Sequence, residues 1–263
     1  MKASSNGISI HYVVEGQGPW MVMSHSLACN VSMWDEQAAV LARSYRVLRF
    51  DTRGHGASDA PAGAYTLDLL SDDLIGLMDS VGIDSAHFVG LSMGGMIGMT
   101  SALKHPGRFL SLALCDTSSR VPPEAAPVWE SRIKTAKEQG MGPLVEPTLQ
   151  RWFTEPFYKA EKSVMARVGQ MIRTTPVDGY VGCCHAIPKI DITDRLGAIR
   201  CPTRVIVGDQ DVGTPVAMSR AIQEAIPGAD LVVIPSASHL SNLEQPGAFN
   251  QALTTFLGMQ AER

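Results

Sequence analysis

An apolar strand runs directly into a helix in the stretch Phe88-Val89-Gly90-Leu91-Ser92-Met93-Gly94-Gly95-Met96. Gly90-x-Ser92-x-Gly94 matches the pattern that places a serine on a sharp turn between a strand and a helix. Such a turn strains the serine backbone, and its neighbours two positions away must be nearly free of side chain. The pattern occurs by chance in about one chain in ten of this length. It indicates a nucleophile only if an acid and a histidine follow it.

The composition is typical of one folded core with room for an insertion. The chain has 263 residues, of which 45% are hydrophobic and 18% charged, and a formal net charge of -4. No basic block and no apolar run of membrane length is present, so the sequence favours neither nucleic-acid nor membrane binding. The N-terminus lacks the apolar region of a secretory signal, and the five cysteines have no C-x-x-C spacing, which predicts reduced thiols and a cytoplasmic protein. No metal-ligand spacing or nucleotide-binding glycine loop occurs, so we expect no metal and no cofactor.

Apolar runs alternate with helical patterns on both sides of the motif. Strands are predicted at residues 8–14, 20–23, 46–50, 86–91, 109–115, 203–207 and 231–234. Helices are predicted at residues 33–44, 67–81, 94–104 and 215–225, with a final helix that closes at Leu257-Gly258. This alternation is typical of a mostly parallel sheet with helices on both faces. Ligands of such folds bind outside the C-terminal ends of the strands, which is where Ser26, Ser92 and Asp116 fall.

The alternation stops in the middle of the chain. Between about residues 118 and 188 no clear strand is found, and helical patterns cover 129–138, 143–153 and 158–173. We therefore expect residues 118–188 to form a helical cap over the strand ends of a core built from residues 1–117 and 189–263. Candidate walls of the pocket beneath the cap are Trp129, Trp152 and Phe153.

An acid and a histidine do follow the serine, each on a loop directly after a predicted strand. The order Ser92, Asp211, His239 is the one expected when the nucleophile sits on this kind of turn. His239 would accept the Ser92 proton and later donate it to the leaving oxygen, while Asp211 would fix the imidazole tautomer. Asp116 and Asp209 remain alternatives for the acid.

Attack by a serine on a carbonyl creates an oxyanion, which needs hydrogen-bond donors. The Met93 amide lies at a helix N-terminus, where unpaired N–H groups favour negative charge. The loop after the strand at 20–23 is expected to supply a second amide, and Leu27 is the candidate. On the same loop His25 is interpreted as structural, and so is His55 in the glycine-rich loop that begins at Asp51.

Several of these segments resemble the α/β-hydrolase superfamily, and the likeness covers almost the whole chain. Two segments are shared widely in that superfamily: Gly90-Leu91-Ser92-Met93-Gly94-Gly95 and Asp51-x-Arg53-Gly54-His55-Gly56-x-Ser58. Within it, the chain is most similar to the 3-oxoadipate enol-lactonases. The segments that carry this second likeness are Ser26-Leu27 with Ser32-Met33-Trp34-Asp35, Arg151-Trp152-Phe153-Thr154, Gly179-Tyr180 with Cys183-Cys184, and 238–246. Departures from that group bear on the substrate rather than on the reaction class, and they are His25, Ala28, His185, Lys189 and Ser238.

The resemblance implies an α/β-hydrolase fold and a cofactor-independent serine hydrolase that opens a small carboxylic ester or lactone through an acyl-enzyme. A lactone that carries carboxylates needs cations, and the candidates in the cap are Arg132, Lys134, Arg151 and Lys189. Ser26 is a further candidate contact beside the oxyanion residue. A general carboxylesterase or perhydrolase, a carbon–carbon bond hydrolase and a non-catalytic small-molecule receptor remain alternatives. The oligomeric state stays open, with a homo-oligomer as one option.

Overall fold

One eight-stranded sheet organises the molecule. The computed structural model describes residues 1–261. The strands are β1 Lys2–Ser5, β2 Ile8–Glu15, β3 Trp20–Ser24, β4 Arg46–Phe50, β5 Ala86–Leu91, β6 Phe109–Cys115, β7 Thr203–Gly208 and β8 Asp230–Ile234. They lie in the order β1-β2-β4-β3-β5-β6-β7-β8. The β1–β2 and β2–β4 pairings are antiparallel and the remaining five are parallel, so the prediction of a mostly parallel sheet is confirmed.

Both faces of the sheet are covered. Consecutive residues of β5 from Phe88 to Leu91 are all buried, as is every residue of β7. Consecutive side chains of a strand point to opposite faces, so burial of every residue means that packed layers lie on both sides. The helices of the core are α1 Asp35–Leu41, α2 Leu67–Val81, α3 Met93–Lys104, α9 Val216–Ala225, α10 Ser241–Glu244 and α11 Pro246–Ala261. Of these, α2 packs on α3, and α1 packs on α11.

The strand register brings the ends of distant segments to one edge of the sheet. Ser24 pairs with Gly90, Leu91 with Cys115, and Gly208 with Ile234. Since these residues end their strands or lie one residue before the end, the loops that follow β3, β5, β7 and β8 emerge side by side. The predicted nucleophile, acid, histidine and oxyanion residue all lie on those loops.

A run of helices separates β6 from β7 in the chain. These helices are α4 Ala126–Gln139, α5 Val145–Trp152, α6 Glu155–Ala160, α7 Lys162–Thr174 and α8 Val177–Ala186. The segments that enter and leave this region run antiparallel, since Val121 N–H donates to the Ile190 carbonyl at 3.2 Å and Ile192 N–H to the Ser119 carbonyl at 2.9 Å. A helical region in this part of the chain agrees with the prediction, while its bounds at 118 and 188 remain a prediction.

Some predicted elements were wrong in detail. The helix expected over 158–173 is two helices, because Glu161 has a non-helical backbone (φ -97°, ψ 64°). The last helix continues through Gly258 to Ala261 instead of closing at Gly258. Strand β1 and helices α8 and α10 were not predicted; β1 is the polar stretch Lys2-Ala3-Ser4-Ser5, held by its pairing with β2 rather than by an apolar pattern. No helix in residues 1–261 is long and apolar enough to cross a membrane.

Candidate active site

Ser92 sits at the turn between β5 and α3 with a strained backbone. Its φ of 56° and ψ of -117° lie where L-residues other than glycine are rare. The flanking glycines are required by space: a Cβ on Gly90 would overlap the Gly94 carbonyl, and one on Gly94 would overlap the Ser24 carbonyl. The sequence pattern and the local geometry thus have one cause, the close approach of three backbone segments around the Ser92 turn.

Ser92, His239 and Asp211 form one hydrogen-bonded chain. His239 Nε2 lies 2.9 Å from Ser92 Oγ, and His239 Nδ1 lies 2.8 Å from Asp211 Oδ2. Asp211 and His239 are buried, whereas the Ser92 hydroxyl faces a cavity. The structure therefore brings together the three residues that the sequence order had associated, in an arrangement suited to proton transfer from serine to imidazole.

The Asp211 carboxylate is held by a turn that the sequence analysis did not single out. Its Oδ1 accepts from the Gly213 and Thr214 amides at 2.7 and 3.0 Å, and its Oδ2 accepts from Thr214 Oγ1 at 2.6 Å. Burial raises the pKa of Asp211, but His239 and the Thr214 donors outweigh it and lower the pKa to about 2. The spacing Asp211-x-Gly213-Thr214 is typical of an Asp side chain that caps its own turn, and could have indicated this role.

The two alternative acids contact other groups. Asp116 Oδ1 accepts from the Gly208 amide at 2.9 Å and its Oδ2 from Ser241 Oγ at 2.5 Å. Asp209 accepts from the Ala237 amide at 3.3 Å. In the described part of the chain neither carboxylate bonds to His239, which leaves Asp211 as the partner of the imidazole.

The two expected oxyanion donors lie just after the neighbouring strands β3 and β5. Met93 is the first residue of α3, and Leu27 lies on the loop after β3 and lines the cavity. Within residues 1–261 neither amide donates to a protein acceptor. Ser26 also lines the cavity, and its buried Oγ has no hydrogen-bond partner among the described residues. The loop therefore offers free donors beside Ser92.

The cavity above Ser92 has a volume of about 280 Å³. The predicted contacts that line it are Ser26, Trp129, Arg132, Arg151 and Trp152. Trp152 also packs against the His239 ring, with centroids 6.0 Å apart. Phe153 is buried away from the lining and stacks on Phe157.

The structure does not bring the two candidate lysines to the cavity. Lys134 and Lys189 are exposed and outside its lining. Lys134 lies two residues after Arg132 on α4, and a step of two residues turns a side chain to roughly the opposite face of a helix. Of the two candidate cations on α4, Arg132 lines the cavity and Lys134 does not, so a substrate contact of Lys134 remains a prediction that the cavity lining does not support.

Arg132 and Arg151 form an uncompensated pair of cations at the cavity wall. Among the described residues no carboxylate forms an ion pair with either guanidinium; Arg132 lies over the Trp129 ring, 4.6 Å from its centroid. Burial and the neighbouring Arg132 charge lower the pKa of Arg151 to about 10. Two like charges at one cavity wall repel each other, and an anion that enters the cavity would stabilise both.

Within residues 1–261 no cluster of three or more histidine, cysteine or acidic side chains could hold a metal ion. At this edge of the sheet the structure places a serine hydroxyl, an imidazole and hydrogen-bond donors around one cavity. A match to the sequence model of the α/β hydrolase fold family covers residues 19–246. The chain belongs to the α/β-hydrolase fold family.

Relatives within the α/β-hydrolase fold family share most of the chain's length. The 3-oxoadipate enol-lactonase 2 of Acinetobacter baylyi is 36% identical over 252 residues, which is 95% of this chain and 93% of that protein. The solved structure of the enol-lactonase from Burkholderia xenovorans LB400 has a TM-score of 0.94 and 40% identity, covering 98% of this chain and 100% of that chain. A malate-bound thermophilic esterase from Thermogutta terrifontis has a TM-score of 0.94 and 31% identity over 99% and 98% of the two chains.

Proposed function

We propose that this α/β hydrolase cleaves a small carboxylic lactone or ester through an acyl-enzyme on Ser92, and that its preferred substrate is an enol-lactone bearing a carboxylate. The observation that carries the proposal is the Ser92–His239–Asp211 hydrogen-bonded chain beneath a cavity lined by two arginines that form no ion pair with the described carboxylates. The two enol-lactonase relatives at 36% and 40% identity support the lactone.

In the proposed first step His239 Nε2 takes the Ser92 proton while Ser92 Oγ bonds to the substrate carbonyl carbon. The carbonyl electrons move to the oxygen, which the Leu27 and Met93 amides stabilise. As the tetrahedral intermediate collapses, the ring C–O bond breaks and imidazolium donates its proton to the departing oxygen. An enol leaving group then tautomerises to a ketone without help from the protein.

In the second step His239 removes a proton from water, and the resulting nucleophile attacks the acyl-enzyme carbonyl. The bond to Ser92 Oγ breaks, the proton returns to Ser92, and a carboxylic acid is released. Asp211 stays ionised throughout, since its pKa is lowered to about 2, and it stabilises the imidazolium that forms in both steps.

The arginine pair supports a substrate with at least one carboxylate besides the reacting group. Arg132 and Arg151 are both half-buried, burial lowers the pKa of Arg151, and neither has a carboxylate partner among the described residues. A charge-assisted hydrogen bond contributes about 1.5–3 kcal/mol, so each arginine that contacts the anion is expected to change KM by roughly one to two orders of magnitude. The cap region, proposed as residues 118–188, supplies both arginines and closes the cavity.

The experiment compares hydrolysis of 3-oxoadipate enol-lactone, an ester with a free carboxylate (mono-p-nitrophenyl glutarate) and a neutral ester (p-nitrophenyl butyrate), with Ser92→Ala as control. We expect the two anionic substrates to have the higher kcat/KM and Ser92→Ala to abolish all three activities. Turnover that survives Ser92→Ala would contradict the acyl-enzyme. Absence of turnover would favour a receptor or a carbon–carbon bond hydrolase.

Arg151→Gln tests the anion site, and Lys134→Gln is its matched control because it removes one exposed charge of the same region outside the cavity. We expect Arg151→Gln to raise KM for the anionic ester about 10- to 100-fold, with little change for the neutral ester. An equal effect of Arg151→Gln on both esters would remove the argument for a carboxylate.

A general carboxylesterase is the second candidate. Apart from the arginines, much of the cavity wall is apolar, including Met96, Val128 and Trp129, and the Thermogutta terrifontis neighbour at 31% identity is an esterase. In that case the neutral ester would exceed the enol-lactone in kcat/KM, while the dependence on Ser92 would remain.

A further inference from the structure

Two buried histidines outside the proposed triad contact the loop that carries Leu27. His25 and His55 are fully buried, and their ring centroids lie 5.2 Å apart. His25 belongs to the loop itself, and His55 reaches it from the glycine-rich loop after β4. Neither side chain lines the cavity, so neither is placed to touch a substrate.

The hydrogen bonds of His25 define its protonation state. Its Nδ1 lies 2.7 Å from the Ser26 carbonyl oxygen, and its Nε2 accepts from the Thr52 amide at 3.0 Å. A carbonyl can only accept and an amide N–H can only donate. The ring must therefore be neutral, with its proton on Nδ1.

This hydrogen bond sets the direction of the Leu27 amide. The Ser26 carbonyl and the Leu27 N–H belong to one planar trans peptide, so they point in opposite directions. The Ser26 carbonyl is held by His25 Nδ1 and by the Cys29 amide at 3.1 Å. The Leu27 N–H is consequently turned away from the buried His25 ring, and Leu27 lines the cavity.

His55 holds the next peptide of the loop. Its Nε2 accepts from the Ala28 amide at 2.9 Å, and its Nδ1 lies 3.2 Å from the Arg53 carbonyl, so this ring is also neutral with the proton on Nδ1. Ala28 has a φ of 59°, a left-handed conformation that is unfavourable for a residue with a Cβ. The hydrogen bond that the Ala28 amide donates to His55 thus stabilises a strained backbone directly after Leu27.

Both rings are suited to remain neutral in the interior. Burial lowers the pKa of His25, while the Asp51 charge and the Ser26 carbonyl oppose the shift. Burial and the neighbouring His25 lower the pKa of His55 to about 3. Protonation of either Nε2 would remove an acceptor from the Thr52 or Ala28 amide.

We infer that His25 and His55 are positioning residues of the oxyanion hole: as neutral Nδ1–H rings they hold the Ser26–Leu27 and Leu27–Ala28 peptides so that the Leu27 amide faces the substrate oxyanion. The inference rests on the proposed function, because it assigns the Leu27 amide to the oxyanion of that reaction. It predicts that these histidines affect the transition state more than substrate binding.

The test compares His25→Ala with His25→Asn, whose side-chain amide can still donate to the Ser26 carbonyl. Losing an oxyanion donor costs about 10²–10³ in kcat, and we expect His25→Ala to lose about 10- to 100-fold through misplacement of that donor. KM should change little, and His25→Asn should recover part of kcat. His87→Ala is the matched control, since His87 is half-buried at the start of β5 and bonds to Ser111 Oγ at 2.8 Å.

Two inhibitors distinguish a positioning role of His25 from general damage to the site in His25→Ala. Affinity for a boronic acid that forms a tetrahedral adduct on Ser92 should fall in parallel with kcat, whereas affinity for adipate, which forms no adduct, should stay constant. If His25→Ala lowers the unfolding temperature but leaves kcat and boronate affinity unchanged, His25 is only structural and the inference is overturned.

A readout that needs no turnover distinguishes this inference from the proposed function. In a ¹H–¹⁵N correlation spectrum, the Leu27 amide should shift in His25→Ala and shift much less in His25→Asn and His87→Ala. If wild-type protein lacks Ser92-dependent hydrolysis, the proposed function fails, yet the Leu27 signal still reports whether His25 orients that amide. An unchanged Leu27 signal in His25→Ala overturns the inference even in an active enzyme.

Discussion

At the scale of single residues, hydrogen-bond donors decide which aspartate pairs with His239. Asp211 accepts from its own turn and from His239, and its pKa is lowered to about 2 despite burial. Asp116 is fully buried, and burial and the nearby Asp211 charge raise its pKa well above the usual range. The pKa values of two neighbouring carboxylates are thus shifted in opposite directions. Only Asp211 is held in the charged form that can stabilise an imidazolium.

Replacement by asparagine separates the two aspartates. Asp211→Asn should lower kcat by about 10⁴ because the amide favours the wrong imidazole tautomer. Asp116→Asn should retain kcat within a few-fold, since an amide oxygen can still accept from Gly208 and the amide removes a disfavoured charge. Steady-state kinetics and thermal melts of both variants test this. A large loss of kcat in Asp116→Asn, without a lower melting temperature, would make Asp116 the acid.

The pH profile of kcat/KM tests whether the buried groups around the site keep one charge state. The pKa of Asp211 is lowered to about 2 and that of His55 to about 3, and the pKa of His25 is also lowered. Asp211 and His55 should therefore add no ionisation between neutral pH and about pH 4, and a plot of log kcat/KM against pH should not exceed a slope of 1 in that range. A slope of 2 would indicate a second group, such as His25.

Removal of the Ser26 hydroxyl tests whether substrate is its missing partner. A buried hydroxyl without a hydrogen bond destabilises a protein by about 1–3 kcal/mol, and Ser26 Oγ is such a group at the cavity wall. Ser26→Ala should therefore leave the unfolding temperature unchanged or higher while lowering kcat/KM about tenfold. Wild-type kinetics in Ser26→Ala would show that the substrate leaves this hydroxyl unpaired. The comparable orphan hydroxyl of Thr100 lies outside the cavity lining, and Thr100→Val is the control.

At the scale of elements, α8 docks on the core through glycine. Gly179 on α8 and Gly54 in the loop after β4 approach so closely that a Cβ on either would overlap the other's backbone. One turn later a Cβ on Gly182 would lie 2.7 Å from the Tyr65 ring. This contact joins α8 to the loop that carries His55, and His55 Nε2 accepts from the Ala28 amide, so α8 and the loop after β3 share a support.

Gly179→Ala should therefore destabilise the protein although alanine favours helices. Overpacking of this kind costs about 1–3 kcal/mol, against a helix-propensity gain of about 1 kcal/mol or less. Gly247→Ala on α11 is the matched control, since no atom lies within 4 Å of its Cβ position. Urea unfolding of both variants tests the prediction. Equal stability of Gly179→Ala and wild type would show that α8 can move away from the loop at little cost.

At the scale of the whole molecule, the helical region and the sheet share one core. A single cluster of buried apolar side chains includes Phe88 and Leu114 of the sheet together with Leu149, Val168 and Tyr180 of the inserted helices. Contacts of this extent favour cooperative unfolding.

We expect one unfolding transition for cap and core. Tryptophans provide the probes, with Trp129 and Trp152 in the cap region and Trp20 and Trp34 in the core. In one variant the two core tryptophans are replaced by phenylalanine, and in a second variant the two cap-region tryptophans are replaced. In each variant the urea midpoint of unfolding measured by tryptophan fluorescence should equal the midpoint measured by far-UV circular dichroism. A cap-specific fluorescence change at lower urea would show that the cap opens independently.

Much of this protein follows from local sequence. The apolar runs, the glycines around Ser92 and the alternation of strands and helices predict the mostly parallel sheet, because these features depend on neighbouring residues and backbone sterics. The resemblance of several segments to the α/β-hydrolase superfamily implies the family. Both the sheet and the family are confirmed. The roles of Ser92, Asp211 and His239 stay predictions, although their order along the chain was enough to associate them. Strand β1 and the helix break at Glu161 were not predicted. Strand β1 is determined by its pairing with β2 and the break by the local backbone conformation, and neither leaves a hydrophobic period in the sequence.

Only the tertiary structure shows the contacts between residues that lie far apart in the sequence. Ser92 and His239 are 147 positions apart, and only the fold shows that their atoms lie 2.9 Å from each other. It likewise showed that Arg132 faces the cavity while Lys134 does not, and that two histidines interpreted as structural hold the peptides around Leu27. Burial, charge compensation and hydrogen-bond partners are properties of packed surroundings, and a linear pattern does not contain them.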